Sequence, residues 1–216
     1  LEVPMVMRAP VGVTGRGSQH AQNMETFFQP LPGIKIVVPA TAYDAVGLLR
    51  SAVRDGNPVL MFEHKLLYGS KGARAETGSV DASSEIPDGD WTVPIGKGIV
   101  RREGSDITIV ATLLMMHRAL QAADLLAAEG ISAEVIDPRS LVPFDWELLK
   151  GSVAKTGRLV TVEESPKRGG IGDVQRDAAH LRLVREIGRQ DLQRHRIGEA
   201  IGHRIRRRHP REGGRE

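Results

Sequence analysis

A chain of 216 residues with 40% hydrophobic side chains is long enough to bury a sizeable core, as one large or two modest domains. It has no cysteine, which excludes a disulfide framework and thiolate metal sites, and no apolar run reaches the roughly 18 residues of a membrane span. The net charge of +3 is uneven: residues 173–216 hold twelve arginines, seven acidic residues and no lysine, so the remainder is slightly acidic. With no secretory signal to read, the cytoplasm is the expected compartment. The chain opens on Leu1 within a strand-like pattern and has its first methionine at position 5, which predicts a fragment lacking its natural N-terminus.

PMVMR (4–8) reads as a short buried strand. It runs into RAPVGVTGRGSQHAQNMETFF (8–28), where Gly12, Gly15 and Gly17 lead to His20 at the start of an expected helix. Glycines permit positive φ and close backbone approach. Histidine exchanges protons near neutrality. A strand, a glycine-rich turn and a helix opening on a histidine point to a ligand or catalytic edge of an α/β sheet. A solvated loop histidine fits the same spacing. KIVVP (35–39) is the next strand, closed by a proline. Thr41 is placed to cap the following helix, with Asp44 as the acidic partner of a capping box. That helix carries Val46, Leu48, Leu49 and Val53 at helical spacing and stops at Asp55-Gly56. PVLMFE (58–63) completes a strand–helix–strand unit.

Residues 66–92 lose periodicity, are rich in Gly, Ser, Lys and Asp, and contain the turn signal Pro87-Asp88-Gly89-Asp90; they predict a surface linker between two domains. ITIVAT (107–112), a helix over 115–129 ended by Gly130, SAEVID (132–137), a helix over 145–154 and RLVTVEE (158–164) then alternate. The turn Gly169-Gly170-Ile171-Gly172 should open one more helix. Three strands with three helical connections make a small doubly wound sheet. From Asp173 onward the arginine-rich string has too few large apolar residues to offset chain entropy, and is expected to be disordered or weakly helical.

These motifs, in this order, resemble the beta subunit of thiamine-diphosphate-dependent 2-oxoacid dehydrogenases. The similarity lies in RAPVGVTGRGSQHAQ, in PGIKIVVPATAYDAVGLLRSAVRDGNPVLMFEHKLLYG, and in VPIGKGIVRREGSDITIVAT, GISAEVIDPRSLVPFDWELLKGSVAKTGRLVTVEE and RGGIG, so it runs unbroken over residues 3–172. It implies an α/β fold in which residues 1–65 are the C-terminal part of a transketolase-like pyrimidine-binding domain. Residues 66–92 would be a linker, 93–172 an incomplete transketolase C-terminal-like domain forming a doubly wound sheet, and 173–216 a basic, frame-shifted or disordered tail. It also implies a heterotetramer with an alpha subunit that holds the diphosphate and its magnesium, a second beta subunit, and a lipoyl acyltransferase partner. The reaction implied is decarboxylation of pyruvate or a related 2-oxoacid, or cleavage of acetoin, with acyl transfer to lipoamide.

Residue by residue, the histidine of GRGSQHAQ faces the cofactor in that family, and here it is His20. Its implied role is to orient or protonate the substrate-derived intermediate. The family's pyrimidine-binding glutamate lies upstream of this loop and is absent from this chain. Glu25, the nearest substitute, reads as a solvated helix-face carboxylate. Some members bind potassium through positions that match Met5, Ala52, Val53, Asp55 and Asn57, mostly by backbone carbonyls. Helix C-terminal carbonyls lack intrahelical partners and carry partial negative charge, which suits a cation. An ordinary helix end with an Asp-Gly turn fits as well. Another class of function takes the tail at face value, with Arg204, Arg206, Arg207, Arg208 and Arg211 binding nucleic acid or other polyanions; no nucleic-acid module accompanies them. Met115-Met116-His117 reads as packing, and His64 as a histidine near a strand end without a catalytic role.

Overall fold

Three strands are buried at every position: β3 (Val59–His64), β5 (Ile107–Ala111) and β6 (Ala133–Asp137). A strand with no polar face needs cover on both sides, which parallel sheets obtain from helices. The computed structural model describes residues 2–13, 21–68, 80–166 and 170–172 and arranges them as two four-stranded sheets. All of them belong to one compact unit, Leu1–Asp177. His20 and the arginine-rich tail lie outside the described residues.

In the first sheet β1 (Val6–Val11) and β2 (Lys35–Val37) flank β3, both parallel to it, with Val11 opposite His64. The expected strands are present, the first shifted toward its C-terminal side. In the second sheet β5, β6 and β8 (Leu159–Val162) are parallel, as the alternation predicts. Two strands had no expectation. β4 (Ile99–Arg102) adds antiparallel to β6, and β7 (Ser140–Val142), from the second half of the chain, adds antiparallel to β2 of the first sheet.

Helix α1 (Glu25–Phe28) is a single turn. Helix α2 (Ala42–Val53) begins at Thr41, whose Oγ1 accepts the Asp44 N–H at 3.2 Å, and ends before Asp55-Gly56 as expected. Its apolar face differs from the predicted one: Leu48 and Ala52 are buried, but Val53 is 67% exposed. Asp44 does not close a capping box on the Thr41 backbone. Its carboxylate, fully buried, accepts the Thr41 hydroxyl at 2.7 Å and pairs with Arg101 and Arg139. Helices α3 (Leu113–Ala128) and α4 (Trp146–Thr156) cover the second sheet, and glycines with positive φ, Gly130 and Gly157, follow their ends. Among the described residues no helix is long and apolar enough to cross a membrane.

The second part of the expected linker is packed rather than superficial. Val80, Ala82 and Val93 are buried, Trp91 stacks on Tyr43 with ring centroids 4.3 Å apart, and Val93 N donates to Gly47 O at 3.1 Å. Its apolar residues are spaced without period because they cover α2 from an irregular strand of chain.

The two halves meet along a continuous seam. Val11, Ile36, Leu60 and Phe62 share one core with Leu113, Leu141 and Ile171. Leu113 and Arg139 both sit at positive φ, 52° and 56°, a conformation that costs a non-glycine residue about 1–2 kcal/mol; burial of both offsets it. Arg101 bridges Asp44 to Asp137 at the centre, donating to Asp137 Oδ2 at 2.8 Å. Burial pushes the Asp137 carboxyl up to about 6, against the pull of Arg101. His117 packs, as expected: its buried Nε2 donates to Ala40 O at 2.7 Å, and burial lowers its pKa.

Candidate active site

In a parallel α/β sheet the carboxyl ends of the strands form the rim at which ligands bind, because the following loops converge there. β1 ends at Val11, one residue before Gly12, and β3 ends at His64 beside it. The chain after β8 brings Glu163, Glu164 and Ser165 to the same place, so the rim is built from both halves. His20 lies between Val13 and Ala21, outside the described residues; the two flanks of that interval are placed.

Those flanks are joined. Gly12 N donates to Asn23 Oδ1 at 3.0 Å, and Asn23 is buried. Gly12 has φ +109°, and a Cβ there would fall 2.2 Å from His64 Nε2, so glycine is required both by the backbone and by the ring beneath it. His64 is wholly buried. The Leu66 N–H donates to Nδ1 at 3.1 Å, which puts the ring proton on Nε2, where it is donated to Glu164 Oε2 at 2.6 Å. The adjacent Glu63 receives Arg8 in a two-pronged ion pair at 2.7 and 2.8 Å, and also the Tyr68 hydroxyl. Burial first, and then Glu63, push the Tyr68 hydroxyl up to about 12.

Glu25 corrects its expected exposure. It is 2% exposed, because the single turn α1 lays it against the segment after β8; Oε1 accepts the Ser165 hydroxyl at 2.8 Å while Oε2 is buried without a partner among the described residues. Burial raises its pKa, and Glu163 and Glu164 add to the shift. The glycine turn at Gly170-Ile171-Gly172 does cradle an anion, the chain's own Glu163, which accepts the N–H groups of Ile171 and Gly172 at 2.8 and 2.9 Å. A Cβ at Gly170 would meet Glu163 Oε1 at 2.6 Å. Sequence reasoning gave His64, near its strand end, no catalytic role, and passed over Glu163 and Glu164. The available signal was VEE at a strand end followed by a glycine turn.

The positions matched to potassium gather at the opposite end of the first sheet. Met5 O accepts Val59 N at 2.8 Å and Ala52 O accepts Asp55 N at 3.2 Å, while the Asp55 carboxylate, held below its usual pKa by Lys35, pairs with that ammonium and with Asn57. Met5 O keeps a second lone pair, which is the capacity a potassium ion would use, whereas Ala52 O also takes the Arg54 N–H. Among the described residues no group of three or more His, Cys, Asp or Glu is placed to hold a metal ion. Glu163 and Glu164 place carboxyl groups at this rim, a donor set that does not suit a diphosphate.

Residues 1–71 match the family model for the transketolase pyrimidine binding domain, and residues 96–186 that for the transketolase C-terminal domain. The chain is 47% identical over 173 residues to the mitochondrial pyruvate dehydrogenase E1 component subunit beta-2 of rice (Oryza sativa subsp. japonica), covering 80% of this chain and 44% of the relative. It is 46% identical over 169 residues to the 2-oxoisovalerate dehydrogenase subunit beta of Bacillus subtilis, covering 78% and 48%. With the acetoin:2,6-dichlorophenolindophenol oxidoreductase subunit beta of Cupriavidus necator it shares 44% over 171 residues, covering 79% and 47%. Among solved structures, one described as a split gene transketolase, inactive beta4 tetramer, aligns with a TM-score of 0.64 at 31% identity, over 86% of this chain and 54% of that one. The chain spans about half the length of these relatives. Its two halves belong to the transketolase pyrimidine-binding and C-terminal domain families, and over that span the chain is similar to 2-oxoacid dehydrogenase beta subunits.

Proposed function

We propose that this chain serves as part of the beta subunit of a 2-oxoacid dehydrogenase, an enzyme that decarboxylates pyruvate or a related 2-oxoacid, or cleaves the central carbon–carbon bond of acetoin, and transfers the acyl group to lipoamide. The observation that carries this is the unbroken 44–47% identity to such subunits across both halves of the chain. Support also comes from the rim: the flanks of the histidine loop are pinned where parallel strands end.

When bound, thiamine diphosphate supplies a nucleophilic carbon and an electron sink for loss of carbon dioxide. His20 is the side chain assigned to proton movement beside the cofactor, since an imidazole both gives and takes a proton near neutral pH. The diphosphate and magnesium are assigned to an alpha subunit, which the acidic rim favours. A potassium ion is assigned to the carbonyls of Met5, Ala52, Val53, Asp55 and Asn57. A second beta subunit, a lipoyl acyltransferase partner and a cytoplasmic location belong to the same proposal; the rice relative is mitochondrial by name.

The test is His20→Ala in the assembled alpha–beta enzyme, with turnover measured on pyruvate, branched 2-oxoacids and acetoin. General acid–base assistance is worth about 10²–10⁴-fold, so turnover should fall by that order while folding, followed by thermal melting, changes little. Unchanged turnover would remove His20 from the mechanism. Absence of turnover on all three substrate classes in the unsubstituted enzyme would overturn the proposed activity.

A further inference from the structure

Residues 163–165, just after β8, each grip a different part of the seam. Glu163 accepts the N–H groups of Ile171 and Gly172 at 2.8 and 2.9 Å. Glu164 accepts the His64 Nε2–H at 2.6 Å, and Ser165 donates its hydroxyl to Glu25 Oε1 on α1 at 2.8 Å. The carboxyl groups gathered here differ in their donors. Both oxygens of Glu163 are met by backbone N–H groups and Glu164 has an imidazole, whereas Glu25 is buried with Oε2 unpartnered among the described residues. A buried carboxylate oxygen without a donor is strongly unfavourable, and like charges nearby make it more so. A metal ion would relieve it, but no group of three or more His, Cys, Asp or Glu among the described residues is placed to hold one. The remaining remedy is a proton, and the difference in donors sends it to Glu25. Burial, and after it Glu163 and Glu164, raise the Glu25 pKa in the same sense.

Helix α1 depends on this group more than a longer helix would. It is a single turn, too short to persist alone, and Met24 gives it no side-chain cap. It is held by the packing of Met24 and Phe28 into the shared core, with the Phe28 ring 6.0 Å from that of Phe62, and by the bond from Glu25 to Ser165.

We propose that Glu25 and residues 163–165 form a proton-operated clasp across the seam: with Glu25 neutral, α1 is docked on the segment after β8, and with Glu25 ionised the clasp opens and α1 lifts away. The event is the exchange of a proton between Glu25 and water, with no other bond made or broken. It is independent of the reaction assigned to the chain, and it makes the rim respond to proton concentration. The sign follows from linkage. In the open state Glu25 has the ordinary glutamate value of about 4.3, and in the closed state a higher one. Closure is therefore fully favoured below the ordinary value and is lost as pH rises through the raised one. Between the two, the protection of α1 should fall by close to tenfold per pH unit, the limit for a single proton.

Amide hydrogen exchange of the full chain from about pH 4 to about pH 8, corrected for the intrinsic pH dependence of exchange, reads the clasp without reference to turnover. Residues 24–29 should be less protected than β5 at every pH, because they exchange through a local opening, and their protection should fall across the window. Glu25→Gln keeps an acceptor for the Ser165 hydroxyl and does not ionise, so its protection should stay at the wild-type low-pH level throughout. Glu164→Gln keeps an acceptor for His64 Nε2–H, removes a neighbouring charge and should shrink the fall. Ser165→Ala, at a partly accessible site, should lower protection at low pH by roughly 3- to 10-fold. Protection of residues 24–29 that is flat with pH in wild type overturns the clasp, and so does a fall of equal size in Glu25→Gln. Protection equal to that of β5 overturns it too, since α1 would then open only with the whole fold.

Discussion

Replacing Gly47 by alanine in the middle of α2 sets two effects against each other. Alanine in a helix interior is favoured over glycine by about 1 kcal/mol, through backbone entropy alone. Here the new Cβ would stand 2.4 Å from Val93 Cγ2 and 2.5 Å from Trp91 Cζ3, when ordinary contact begins at 3.4 Å. One of the partners must therefore retreat by about 1 Å, and neither is free to. Trp91 is stacked on Tyr43, lies under the Arg50 guanidinium at 5.3 Å and donates its Nε1–H to Pro87 O at 2.9 Å. Val93 is tied through both its N–H and its C=O to α2. Overpacking of this kind costs about 1–3 kcal/mol, so against the helix gain the net effect should be a loss of about 0–2 kcal/mol. Gly151, inside α4, has nothing within 4 Å of its added Cβ and should gain the full helix preference of about 1 kcal/mol. Denaturant titration of the two variants beside wild type should separate their stabilities by about 1–3 kcal/mol with unchanged m-values. In thermal melts each kcal/mol corresponds to about 2–4 °C for a chain of this size. A Gly47→Ala protein as stable as Gly151→Ala would show that residues 87–93 yield without cost, and would refute the packing described for them.

Glu25→Gln should flatten part of the pH dependence of stability. Burial raises the Glu25 pKa, so the folded state keeps a proton that the unfolded chain releases. That contribution is fully present below the ordinary glutamate value of about 4.3 and is lost as pH rises through the raised folded value. Urea midpoints from pH 4 to 8 should therefore fall more steeply in wild type than in the variant, and equal slopes would contradict the burial. Asp137, pushed up to about 6, has the same sign. Asp44→Ala leaves Arg101 and Arg139 short of a buried carboxylate and should cost about 3–5 kcal/mol in unfolding free energy, with Asp44→Asn milder because it keeps the Thr41 contact. A loss below about 1 kcal/mol would mean the arginines find water instead.

The alternation of buried runs was enough to locate the central strands, because β3, β5 and β6 carry no polar face to blur the pattern. The capped ends of α2 and the glycine end of α3 were legible for the same local reason. What escaped was short or depended on distant chain. β7 is three residues long and is a strand only because β2 lies beside it. β4 reads IVRR, and its Arg101 looks like a surface charge until Asp44 and Asp137 are seen to enclose it. Asp44 was assigned a local capping role because its true partners are 57 and 95 residues away.

The rim shows the same division between local and distant causes. A resemblance located His20 and its glycines, and glycine at 12 has a local reason in its positive φ. Yet the stronger reason for Gly12 is His64, 52 positions later, and the reason for His64's orientation is Glu164, a further 100 positions on. Glu25 looked solvated because one turn of helix cannot reveal what covers it; Ser165 covers it from the far half of the chain. Each of these side chains alone reads as an ordinary polar surface residue. Their buried state follows from closing the seam, so a substitution that loosens the seam, such as Asp44→Ala, should also quicken hydrogen exchange at residues 12–24 although Asp44 touches none of them. Exchange there at the wild-type rate, with the seam weakened, would show that the rim is held by its own bonds alone.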